Sequence, residues 1–358
     1  MKFLLAACLL VAWMQVTCQV LSVDNNPTPM GGAYTTLQSA YDAAVSGDTL
    51  YIIPSSTSYG DLNIAKPITI FGGGFYPDTD TKYTSEVGAL NINAGASNLL
   101  LSGLKIGDLR LAYEAVTFSL NTIRVTHCNI DQVGVAESGS NIRSIDSLVF
   151  INNVFGNTGG GNITGGYVDL VKSGNDVSNT YFYNNIFVGS TGTAGTVSAD
   201  TAYFYNNLFF GQSATGGSTA FAETNSNIFR NNIFFGRAPS ATTTLTNNTF
   251  NFNLSSDSTF SAIIGVSGNS GGSNFNYTDP AFVQVITGTT YDFTFDLSIA
   301  VGSPAKDSGS DGTDLGPAGG LYPFDPTGTP LPVITGVTLP SIVVQGNDIS
   351  ISISGKGN

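Results

Sequence analysis

The amino-acid sequence predicts an all-β solenoid, a stack of coils built from short strands. Two observations predict it. One phrase recurs between Ser147 and Phe250: Phe150-Ile-Asn-Asn153-Val-Phe155, Phe182-Tyr-Asn-Asn185-Ile-Phe187, Phe204-Tyr-Asn-Asn207-Leu-Phe209, Phe229-Arg-Asn-Asn232-Ile-Phe234 and Leu245-Thr-Asn-Asn248-Thr-Phe250. The second Asn recurs at steps of 32, 22, 25 and 16 residues, a spacing typical of units that bury their faces only against the next copy. The flanks are rich in Phe, Tyr, Ile, Val and Thr, which suit strands, and show no helical periodicity.

The Asn residues suit sharp corners. Asn tolerates the left-handed backbone region better than other non-glycine residues. The second Asn of each pair is therefore expected to turn one strand into the next. Stacked at one corner, the amides can hydrogen-bond along the stack. The apolar residue three before that Asn, and the Phe two after it, should form two internal columns.

Composition agrees. The chain has 358 residues, 43 of them Gly, with only 10% charged. A formal charge of −13 argues against nucleic acid as a partner. Lys2, the apolar run Phe3 to Trp13 and Val16-Thr17-Cys18 read as an export signal over residues 1–18. Secretion or display at a bacterial cell surface is the expectation. Removing 1–18 leaves Cys128 as the one thiol, which excludes an internal disulfide.

Residues 34–45 read as a short amphipathic helix, capped by Thr35 or Thr36 and ended by Gly47. Strands follow at Asp48 to Ile53, Leu90 to Asn93 and Leu99 to Ile106, with Gly103 taking the bend that Asn takes later. In Ile123 to Ile130 either Cys128 or Asn129 holds the corner slot. The stretch from Asn157 to Asn179, with its glycines, is expected to protrude as a loop. From Asn276 to Phe324 the phrases Asp279-Pro-Ala-Phe282, Gly302-Ser-Pro-Ala305 and Asp311-Gly-Thr-Asp314-Leu-Gly316 replace the repeat. Residues 326–358 read as a Pro/Gly linker and a short strand-forming tail.

The repeat, the opening Leu37 to Gly74 and the closing phrases together resemble the right-handed parallel β-helix of the pectate-lyase-like superfamily. The resemblance covers residues 19–325. It implies a single-stranded right-handed parallel β-helix with an N-terminal capping helix and a C-terminal cap. It also implies polysaccharide as a partner and, in some members, β-elimination on acidic glycans.

The charges gather between Lys105 and Asp146, whereas residues 184–222 contain one charge, Asp200. On adjacent coils such groups are expected to share a face. Elimination needs a base and a sink for carboxylate charge. Arg124, Arg143 and Lys105 are the candidate catalytic groups. Arg110, His127, Tyr183 and Tyr205 are candidate substrate-binding groups. Asp108, Glu114, Asp131 and Glu137 are candidate ligands for a Ca²⁺ ion. The three carboxylates Asp307, Asp311 and Asp314 lack the EF-hand spacing and read as a hydrogen-bonded turn. Against catalysis, no motif of the superfamily's enzymes is matched. The competing expectation is a monomeric, non-catalytic surface, matrix or adhesion protein in which the solenoid is a spacer.

Overall fold

The computed structural model describes residues 18–74, 83–135, 142–156, 168–171, 175–189, 197–211, 219–239, 245–258, 260–285, 291–325, 333–338 and 351–356. Its body is a parallel β-solenoid. One sheet of eleven strands runs from Val20–Val23 to Ser270–Gly272, with every neighbouring pair parallel. A second parallel sheet of thirteen strands backs it. In the early coils its strands are long, as in Lys105–Leu111 and Asn129–Val135. Asn129–Val135 pairs with both Val154–Phe155 and Val168–Asp169, so each later coil contributes two short strands to this sheet.

Two Phe columns fill the later coils. Phe150, Phe182, Phe204, Phe229 and Phe250 stack with centroids 4.6 to 5.0 Å apart. Phe155, Phe187, Phe209 and Phe234 form a second stack at 4.6 to 4.8 Å. The columns meet edge to face, as Phe150 and Phe155 do at 5.4 Å, an arrangement that aligns ring edge with ring face. All nine rings are fully buried.

The corner divides its labour between the two Asn residues, which corrects the sequence expectation. The left-handed residue is the first of the pair: Asn152, Asn184, Asn206 and Asn231 have φ between 53° and 59°. Gly103 (φ 68°) and His127 (φ 51°) occupy the same slot in earlier coils. The second Asn points inward. Asn207 Nδ2 donates to Asn232 Oδ1 at 3.0 Å and to the Phe182 carbonyl at 2.9 Å. Its own Oδ1 accepts from Asn185 Nδ2 and the Asn185 backbone N–H. The ladder runs Asn153, Asn185, Asn207, Asn232, Asn253, Asn274. Asn248 does not belong to it. Asn248 sits in a second ladder with Asn227 and Asn269 at the other end of the eleven-stranded sheet. The odd 16-residue step was the sign of this, because the step from Asn232 to Asn253 is 21.

Cys128 holds the ladder slot of its coil, where its N–H donates to Asn153 Oδ1 at 2.9 Å. Val125 and Ile130 then take the places of the Phe pair. Burial pushes the Cys128 thiol up to about 12, so the reactive thiolate is scarce at neutral pH. In a chain beginning at Gln19, native protein should not react with a thiol reagent, and unfolding should release one equivalent. Titration with a chromogenic disulfide, with and without denaturant, checks this.

The N-terminal end is covered as expected. The helix is Leu37–Ala43, its Thr36 hydroxyl accepts from Ser39 N–H, and Leu37, Ala40 and Tyr41 are buried. At the other end, Phe260 packs beneath Phe234 and Phe250. The predicted 157–179 loop is corrected in part: Val168–Asp169 is a sheet strand with Val168 buried, and 175–179 begins the long strand Asn175–Tyr183. Residues 157–167 and 172–174 lie outside the described residues. Val333–Thr338 and Ser352–Lys356 pair antiparallel.

The closing segment does more than cover an end. It folds back along the side of the solenoid. Tyr291, Leu297, Ile299, Ala305 and Leu315 pack on Ile186, Leu208, Phe210, Ile233 and Leu254. The chain then climbs the column of left-handed corners. Asn231 Oδ1 accepts from Ser310 N–H at 2.9 Å. Asn206 Nδ2 donates to the Asp314 and Gly316 carbonyls, and Asn184 Nδ2 to those of Pro317 and Gly319. The Asn152 amide, turned to satisfy its neighbours, donates to the Tyr322 carbonyl at 3.2 Å. Asp307, Asp311 and Asp314 form a hydrogen-bonded turn: Asp314 accepts from Lys306 Nζ and Asp307 N–H, and Asp311 from Thr313.

Candidate functional site

Strand alternation decides which side chains reach solvent. In the eleven-stranded sheet Phe182 and Phe204 point inward, so Tyr181, Tyr183, Tyr203 and Tyr205 point outward. Register aligns them in two rows. Tyr181 stacks on Tyr203 at 4.8 Å and Tyr183 on Tyr205 at 5.6 Å. The rows also face each other, at 5.9 Å between Tyr181 and Tyr183 and 6.1 Å between Tyr203 and Tyr205. The Arg230 guanidinium lies 5.8 Å from the Tyr205 ring centre. Tyr322, from the closing segment, meets Tyr183 edge-on at 5.6 Å.

The Tyr183 row continues through Ile151, Thr126 and Ser102 to Phe71. Here the face dips into a pocket of about 470 Å³ lined by Phe71, Leu100, Arg124, His127, Tyr322 and Asp325 among others. Tyr322, Pro323 and Asp325 form its side wall. From the Phe71 strand to the Arg230 strand there are six steps in the sheet, or about 29 Å at ~4.8 Å per step. Burial against neighbouring tyrosines pushes the Tyr183 hydroxyl up to about 12. Tyr205 is also raised by burial, with Arg230 opposing. Both hydroxyls therefore stay protonated and able to donate at neutral pH.

The charged cluster between Lys105 and Asp146 does not form one face. Arg124 is exposed on the eleven-stranded sheet, beside His127. Lys105, Asp108, Arg110 and Asp131 lie on the other sheet, along strands Lys105–Leu111 and Asn129–Val135. There Lys105 pairs with Glu86 at 2.9 Å and Arg110 with Asp108 at 2.6 Å. Asp61, Asp108, Arg110, Asp131 and Gln132 border a shallow groove of about 370 Å³ floored by Gly88 and Gly107. Burial raises the Asp131 pKa, against the opposing pull of Lys105.

Arg143 corrects the candidate catalytic set. It is 1% exposed at the head of strand Arg143–Ile151, so it cannot meet a polymer in solvent. Glu114 does not join Asp108 and Asp131; it accepts from the Ala94 N–H at 3.2 Å. Glu137 lies outside the described residues. Among the described residues no three His, Cys, Asp or Glu side chains converge in a way that could hold a metal ion, and no helix is long and apolar enough to cross a membrane.

The structure thus brings together Arg124, His127, Tyr183 and Tyr205, and adds Tyr181, Tyr203, Arg230, Tyr322 and Asp325. Tyr181 and Tyr203 were legible as the residues two before Tyr183 and Tyr205 in the repeat, on the same side of a strand. Tyr322 carries no local signal, because the closing segment arrives from 139 residues beyond Tyr183.

Fold and face define an all-β parallel solenoid with an aromatic outer surface on one sheet. No protein-family model matches the chain, and no curated protein matches it in sequence.

Proposed function

We propose that this is a secreted, monomeric, non-catalytic polysaccharide-binding β-helix of pectate-lyase-like type, exported by residues 1–18. The observation that carries the reading is the tyrosine platform. Four stacked rings give a flat, rigid, amphipathic surface whose hydroxyls remain donors, and such surfaces pair apolar contact with hydrogen bonding at little entropic cost. A sugar ring presents the complementary pattern of C–H faces and hydroxyl edges. The face continues over about 29 Å along the solenoid, which suits an extended chain rather than a single sugar. Arg230 and Arg124 sit at either side of the platform, so charge on the chain is tolerated or favoured there.

Elimination chemistry fits less well. Of the three basic candidates, Arg124 lies on the aromatic face, Lys105 is ion-paired on the other sheet, and Arg143 is buried. No pair of them is placed to act on one sugar.

Glycan-array binding of the chain from Gln19 tests the reading. Tyr203→Ala removes one of the four rings of the platform, the one that touches Tyr181 and Tyr205. Affinity should fall about fivefold, the equivalent of ~1 kcal/mol for one aromatic contact, with the melting temperature nearly unchanged. Binding that survives loss of both Tyr183 and Tyr203 would move the site elsewhere. Incubation with pectate, alginate and chondroitin, with and without Ca²⁺, should leave the ultraviolet absorbance of unsaturated products flat. A rise abolished by Arg124→Ala would replace binding with catalysis.

A further inference from the structure

The side wall of the pocket rests on the column of left-handed corners, and that column changes chemistry at its last used position. Asn231, Asn206, Asn184 and Asn152 each hold the closing segment through amide groups. The next slot holds His127, again left-handed. An asparagine amide has no proton equilibrium in water, whereas an imidazole changes charge near neutrality. The one titratable ring in the column therefore stands where the segment ends as the wall of the pocket.

We propose that His127 is a proton-operated latch: neutral imidazole lets the 322–325 wall close, and protonation loosens it. The geometry supplies three reasons. His127 is largely covered, and its Nδ1 is buried with no hydrogen-bond partner, so a proton placed there gains a charge without a full set of acceptors. Arg124, three residues earlier on the same coil, faces the same pocket and repels an imidazolium. Asp325, on the wall itself, attracts it, and Tyr322 offers only a neutral ring and hydroxyl. Burial outweighs Asp325, and the His127 pKa lies below its ordinary value.

The direction follows from linkage. A base whose pKa is depressed in the closed state and recovers on exposure favours closure while neutral. That contribution is present above the exposed pKa near 6.5 and is lost as pH falls through it. Acidification therefore opens the wall and widens access to Arg124 and Phe71.

His127 is the only histidine in the chain, so its ring proton is a unique nuclear magnetic resonance signal. Its titration midpoint is expected below 6.5, and lower still in Asp325→Asn. Hydrogen exchange of the 318–325 amides, with labelling times scaled for the intrinsic pH dependence, should show protection lost between pH 7.5 and pH 5. His127→Asn restores the chemistry of the other four slots and should retain protection at both pH values. Asp325→Asn keeps the imidazole but removes the carboxylate that favours its charged form, and should lose more protection than the wild type over the same pH range. Protection that is unchanged with pH in the wild type overturns the latch. So does an equal loss in His127→Asn, or a midpoint above 6.5.

Discussion

Phe204→Ala is expected to cost about 3–5 kcal/mol, the usual range for emptying a fully buried aromatic site. Phe204 lies between Phe182 and Phe229 at 4.6 and 4.8 Å, and touches Phe209 and Phe221 across the core. Phe182 and Phe229 are held by the adjacent coils, and Phe209 and Phe221 by the other strands of the same coil, so the cavity cannot collapse by moving one side chain. The loss should appear in denaturant unfolding as a lower midpoint with little change in slope. Phe204→Leu, which keeps most of the volume, should recover a large part of it. A midpoint within experimental error of the wild type would mean that the stacked column contributes nothing to stability.

Asn207→Ala comes second and tests the division of labour at the corner. It removes the acceptor of Asn185 Nδ2 and of the Asn185 backbone N–H, and the donor to the Phe182 carbonyl. Each buried polar group left unpaired costs about 1–3 kcal/mol, so a total of ~3 kcal/mol or more is expected. Asn206→Ala should cost less. It places alanine at φ 56°, a strain of about 1–2 kcal/mol, and removes two long bonds to the closing segment. Glycine at 207 gives no relief, since that position is not left-handed; glycine at 206 should recover the backbone part. Equal losses at 206 and 207, measured by the same unfolding curves, would contradict the ladder geometry.

The solenoid was legible because its code is local. A Phe, two Asn and a second Phe at fixed offsets specify an inward ring, an outward corner, an inward amide and another ring. What the repeat did not say is which Asn bends. Both residues tolerate the left-handed region, and only the inward direction of the second side chain, a consequence of the three-dimensional turn, separates them. The same limit placed Asn248 in the wrong column: Leu245-Thr-Asn-Asn248-Thr-Phe250 matches the phrase, yet its coil position is that of Asn227. The candidate site was half legible. Arg124, His127, Tyr183 and Tyr205 meet on one face. Lys105, Asp108, Arg110 and Asp131 were joined to them because they are near in sequence, but in a coil a few residues carry the chain around a corner to another sheet. Tyr322 and Asp325 were out of reach, because nothing local announces that a C-terminal segment returns along the flank.

That returning segment changes how the molecule should come apart. A simple stack of coils is held by nearest neighbours, so its ends fray one coil at a time. Here a single stretch of chain is tied to four successive corners, at Asn231, Asn206, Asn184 and Asn152. Peeling the last coil first requires undoing a tie that also belongs to the coils above it. The coils between Asn152 and Asn231 are thereby converted from a series of separately melting rungs into one cooperative block, while the coils before these four corners keep more of the graded stability of an ordinary stack.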